Sequence, residues 1–77
     1  MEPDIFDAFV KRSRSEQDRL RKELLCYEIG PTRLYRGLKG EPLHDITEQR
    51  IAQIKGDIAR IERSIEFVAA QQEARRA

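Results

Sequence analysis

The sequence predicts an all-α fold: an antiparallel, coiled-coil-like two-helix hairpin with a long compact connector, assembled into a helical-bundle oligomer. Three observations carry this expectation. An unbroken isoleucine repeat runs over residues 51 to 68, a weaker apolar repeat runs over residues 6 to 27, and a stretch punctuated by Gly30, Pro31, Gly37, Gly40 and Pro42 separates them. A chain of 77 residues holds a single domain. So short a chain buries a smaller share of its surface than a larger domain does.

The second helix, expected over residues 47–74, carries the clearer signal. Ile51, Ile54, Ile58, Ile61, Ile65 and Val68 follow a 3-4-3-4-3 spacing, the successive a and d positions of a heptad. A strand would need alternation at period two, whereas Lys55, Asp57, Arg60, Glu62, Arg63 and Glu66 fall on the other face of a helix. Two start signals compete. Thr47 as N-cap would put Ile46 and Ile51 in hydrophobic-staple positions, and Asp45 as N-cap would put Glu48 at the capping-box position. Gly56, at an outward f position, costs about 1 kcal/mol relative to alanine in a helix interior. The resulting rod is about 42 Å long at 1.5 Å per residue.

The first helix, expected over residues 4–29, begins near Pro3 and Asp4 and stops at Gly30-Pro31, because glycine suits the C′ position and proline cannot continue a helix. Phe6, Val10, Ser13, Gln17, Leu20, Leu24 and Tyr27 keep a 4-3-4-3 spacing, but Ser13 and Gln17 are polar. Either one helix carries a polar layer, or it divides near Ser13 to Ser15. The charged run from Lys11 to Lys22 places Asp18 with Lys22, and Arg19 with Glu23, at i,i+4.

The connector, residues 30–46, exceeds the 2 to 8 residues usual between bundle helices and holds Leu34, Tyr35, Leu38 and Leu43. It is expected to fold back over one end of the hairpin. A small β-hairpin pairing Cys26 to Ile29 with Arg33 to Arg36 around Gly30-Pro31-Thr32 is a further possibility.

Composition narrows function. Lys and Arg number 15 against 14 Asp and Glu, so a chain that is 38% charged has a net charge of only +1. That mixture suits exposed helical faces of both signs and supplies no global field for nucleic acid. No run of 18 apolar residues exists to span a membrane, residues 1 to 20 lack the pattern of a signal peptide, and the expected location is cytoplasmic. A lone thiol, Cys26, fits a reducing compartment and is expected to be buried and inert. With His44 it cannot complete a structural zinc site, and no orienting carboxylate or oxyanion motif accompanies the pair. Neither a cofactor nor a metal nor enzymatic activity is expected.

A small domain without disulfide or metal has oligomerisation left to stabilise a thin core. Burying six seam side chains is worth about 9 to 18 kcal/mol gross at about 1.5 to 3 kcal/mol each, and one partner helix interrupted by Ser13 and Gln17 covers them poorly. The expected interface residues are therefore Ile51, Ile54, Ile58, Ile61, Ile65 and Val68 with Phe6, Val10, Leu20 and Leu24. The expected partner is a second copy or another helical protein, and the expected role is that of an interaction, adaptor or assembly module. Phe67, off the seam at a c position, suggests a second contact, with Phe6 or Phe9 or with a neighbouring subunit.

An alternative role is that of a small nucleic-acid-associated regulator using the basic residues between 11 and 39. Arg33, Tyr35, Arg36 and Lys39 are the candidate partner or nucleic-acid contacts, since cations neutralise phosphates and an aromatic stacks on a base. In architecture alone, helix, connector and helix resemble small assembly proteins such as tailed-phage head-tail joining subunits, which implies a virion assembly role. No motif in the chain carries that likeness.

Overall fold

The structure, a computed structural model, describes residues 4–76. The element order is α1 (Ile5–Glu28), β1 (Tyr35–Arg36), β2 (His44–Asp45) and α2 (Thr47–Arg76). α1 passes through Ser13 to Ser15 without a break. Asp4 caps it: Phe6 N–H donates to its Oδ1 at 2.9 Å, and Ala8 N–H to its carbonyl at 3.0 Å. Pro3, the other expected start signal, lies outside the described residues. At the far end the amides of Ile29 and Gly30 both donate to the Leu25 carbonyl, at 3.0 and 3.2 Å. A Cβ on Gly30 would stand 2.9 Å from the Cys26 carbonyl oxygen, so only glycine fits this stop.

The start of α2 differs from both expected caps. Arg50 N–H donates to the Ile46 carbonyl at 2.9 Å, which makes Ile46 the capping position by backbone and Thr47 the first helical residue. Asp45 supplies the cap chemistry from one residue further out, its Oδ1 accepting from the Thr47 amide at 2.9 Å and the Thr47 hydroxyl at 2.6 Å. The same Thr47 oxygen accepts from Leu34 N–H at 2.8 Å, and Ile46 N–H donates to the Leu34 carbonyl at 2.9 Å. One fully buried threonine thus ties the connector to the helix it precedes.

α1 and α2 pack antiparallel along the two expected seams. All seven α1 seam positions and all six of α2 are buried or half-buried. Yet among the described residues only Leu20, Ile54 and Ile65 of the apolar side chains are withdrawn from solvent, joined by the polar Gln17 and Thr47. The molecule is a rod of 59 × 24 × 20 Å with a radius of gyration of 17.6 Å, where a compact domain of this length has about 11.5 Å. Its accessible surface is 6472 Å², against about 4,850 Å² for a globular monomer of this mass.

The connector corrects two expectations. Its strand pair joins Tyr35 to Asp45 and Arg36 to His44, antiparallel, and does not join Cys26 to Ile29 with Arg33 to Arg36. The reason lies in α1, which keeps Cys26 to Glu28 helical until Gly30 stops it. Nor do the connector leucines cover the hairpin. Leu34 is half-buried, while Leu38 and Leu43 are 73% and 67% exposed. The chain reverses at Gly40, whose φ of 88° lies in the region that favours glycine.

Candidate interaction surface

The centre of the helix pair is polar. Gln17, with no exposed surface, donates from Nε2 to the Ile58 carbonyl at 3.2 Å and to Glu62 Oε2 at 3.1 Å. Arg14 joins it, donating from Nη1 to Gln17 Oε1 at 2.9 Å and to Glu62 Oε2 at 2.5 Å. Both ends of the Gln17 amide are partnered and no buried side-chain polar atom among the described residues lacks a partner, the condition under which a buried amide is tolerated. The hydrogen bond from Gln17, and then that from Arg14, hold the Glu62 carboxyl below its ordinary range.

Nearer the connector a second cluster closes one flank. Arg50 makes a two-pronged contact with Glu23, Nε to Oε2 at 2.6 Å and Nη2 to Oε1 at 2.8 Å, and the Tyr27 hydroxyl donates to the same Oε2 at 3.0 Å. Arg50 and then Tyr27 keep the Glu23 carboxyl low, against the opposing effect of burial. Burial, and then Glu23, push the Tyr27 phenol up. On the opposite flank Lys55 reaches Glu28 at 3.1 Å.

The expected pairs along α1 are replaced. Asp18 meets Arg21 at i,i+3 instead of Lys22, and Arg19 pairs with Glu16 instead of Glu23. Glu23 faces across the hairpin, so it is Arg50 that takes it, a long-range pairing invisible to local spacing.

The terminal half of the hairpin has no such closure. Phe9 and Ile61, both half-buried, line a shallow groove with Arg12, Ser13, Glu16 and Arg19 on its rim. It continues past Phe6 and Val68 to Ile5, which is 86% exposed. Phe67 is 66% exposed beside Val68 and makes no closed contact with α1, because its c position points it away from the first helix. Among the described residues no ion pair crosses between the helices over this groove.

The structure places the sequence-predicted interface residues together. Phe6, Val10, Leu20 and Leu24 line one helix and Ile51, Ile54, Ile58, Ile61, Ile65 and Val68 the other, with Phe9 an addition that lies beside the α1 seam. The connector candidates part company. Arg33 is engaged with Asp45 at 2.6 Å, whereas Tyr35, Arg36 and Lys39 are exposed and have no carboxylate partner among the described residues. The Thr47 hydroxyl, the Thr47 amide and Arg33, in that order, hold the Asp45 carboxyl down to about 2. Cys26 is exposed, contrary to expectation, because Tyr27 takes the seam and turns its neighbour outward.

Among the described residues no three His, Cys, Asp or Glu side chains stand together as a metal site. No helix there is long and apolar enough to cross a membrane. No family model matches the chain, and no curated protein or solved structure matches it.

Proposed function

We propose that this protein is a non-catalytic interaction module that works by helix-to-helix association, with a second copy of itself as its first partner. The observation that supports this reading is the mismatch between seam and burial: thirteen seam positions face inward, but only three apolar side chains among the described residues are withdrawn from water. Half-covered isoleucines lose part of the roughly 1.5 to 3 kcal/mol that full burial of each would contribute. A partner completes that burial. In this role the exposed connector leucines and the outer cations Lys11 and Lys22 are what the assembly offers to a larger partner.

Association makes folding depend on concentration, so the melting temperature rises as the protein is concentrated. Ile58→Asp with Ile61→Asp places two carboxylates on the seam and is expected to give monomers or unfolded chain. Sedimentation and circular dichroism decide it: unchanged mass and helicity in the double variant, or a melting temperature independent of concentration, sinks the proposal.

A further inference from the structure

We propose that a second copy docks on one flank only, the groove lined by Phe9 and Ile61, and that it docks side by side with a two-fold axis running along the hairpin. This deepens the self-association reading and rests on it.

The two flanks differ in what crosses them. Successive helical residues are about 100° apart, so Phe9, Arg12, Glu16 and Glu23 lie to one side of the α1 seam while Arg14, Arg21, Leu25 and Glu28 lie to the other. Arg14 to Glu62 and Lys55 to Glu28 span the second flank at 2.5 and 3.1 Å, and a partner there would have to desolvate both pairs. On the first flank the Glu23–Arg50 contact occupies only the connector end, and the terminal half presents Phe9, Ile61 and Val68 with, among the described residues, no ion pair crossing between the helices, Asp4 and Arg75 lining only its far end.

Area points to a second copy as the occupant. The chain exposes 6472 Å², about 1,600 Å² more than a globular monomer of its mass. A standard stable interface removes a total of about 1,600 Å², some 800 Å² from each partner. One long side of a 59 × 24 × 20 Å rod can supply that area, while its tips cannot.

The axis follows from the distribution of polarity along this flank. A two-fold axis across the hairpin would lay Phe9 and Val68 of one copy on the Glu23–Arg50 contact of the other. An axis along it sets like on like, apolar half on apolar half, as an isologous interface requires. The rim then sets Arg12, Glu16 and Arg19 of each copy over α2 of the other, the two α1 helices lying diagonally across the axis. The product is a four-helix bundle whose second layer repeats the first.

The test uses the full chain in a Cys26→Ser background with a short bismaleimide linker. Residues near a longitudinal axis meet their own copies, so Glu16→Cys, on the groove side of α1, is expected to link subunits efficiently and Arg21→Cys, on the other flank, is not. Phe9→Ser is expected to raise the dimer dissociation constant at least tenfold in sedimentation, and Leu25→Ser to leave it within twofold. Helicity of Phe9→Ser at high concentration separates lost association from lost folding. A sample dimeric by mass that fails to link at Glu16→Cys, or that links at Arg21→Cys, overturns this face and leaves self-association standing. A parent chain that is monomeric at every concentration overturns both.

Discussion

The half of the hairpin next to the connector and the half next to the termini are built on the same heptad seam, yet they are held by different means. The connector half buries Leu20 and Ile54 completely or nearly so and closes over them with Glu23, Tyr27, Arg50, Glu28 and Lys55. In the terminal half Ile65 alone among the described apolar residues is withdrawn, and Phe6, Phe9 and Val68 remain half in water. Long charged side chains shield the apolar stems beneath them and satisfy each other above. The end that lacks them stays available to another surface. The polar layer of Arg14, Gln17 and Glu62 divides the two.

The largest effect that tests this contrast lies in the core. Ile54→Ala removes a side chain with no exposed surface and is expected to cost about 2 to 5 kcal/mol. Ile65→Ala should cost less at low protein concentration, since its surroundings are already partly wet. Urea denaturation of the two variants compares them directly, and a larger loss at Ile65 would reverse the ranking of the halves.

The dividing layer comes next. Gln17→Ala leaves Glu62 and Arg14 short of a partner and opens space, at a cost of about 1 to 3 kcal/mol. Gln17→Leu fills the space with apolar atoms and should be near neutral in stability, while it loosens the choice of register that a buried amide enforces. Melting curves give the first outcome. Heterogeneity in nuclear magnetic resonance spectra of Gln17→Leu gives the second, and one sharp set of signals would show that the amide plays no part in register.

Glu23→Gln should cost about 1 kcal/mol, because the contact it weakens with Arg50 is only partly screened, both side chains being about a quarter exposed at 25% and 24%. A double-mutant cycle with Arg50→Ala isolates the coupling. If removing the pair leaves the connector half as stable as before, the charged cover is decoration and the contrast between halves rests on packing alone.

The smallest effect is the connector's own anchor. Asp45 is held down to about 2 in the folded protein, below its unfolded value of about 3.9. A carboxyl depressed by folding contributes stability that is complete above its unfolded value and disappears as pH falls through the folded one. Acidification from about pH 5 to about pH 2 should therefore release the start of α2, and Asp45→Ala should remove that share of the pH dependence. Melting temperature followed against pH in both proteins measures it; identical slopes would discard the role given to Asp45.

Much of the hairpin was readable from spacing. The isoleucine repeat identified α2 and its inward face, and the fainter repeat through Ser13 and Gln17 marked the α1 face correctly, because helical periodicity depends on position more than on the chemistry of any single residue. The continuity of α1 was open because the sequence around Ser13 to Ser15 fits a break as well as a polar layer. Gln17 finding Glu62 and the Ile58 carbonyl resolved it. The ladder register is not legible in the sequence because two residues on each side carry almost no pattern, and Thr47, the threonine that fixes it, has the local signature of a helix cap.

Composition and periodicity by themselves determined that the chain is two amphipathic helices around a breaker-rich connector, since which residues face inward is a matter of local geometry repeated every turn. Tertiary structure alone decided which charges meet across the helices, which flank they seal and which they leave open. Those pairings join residues 27 to 48 positions apart, and their partners are chosen by the offset at which the two helices lie together, a quantity no local window contains.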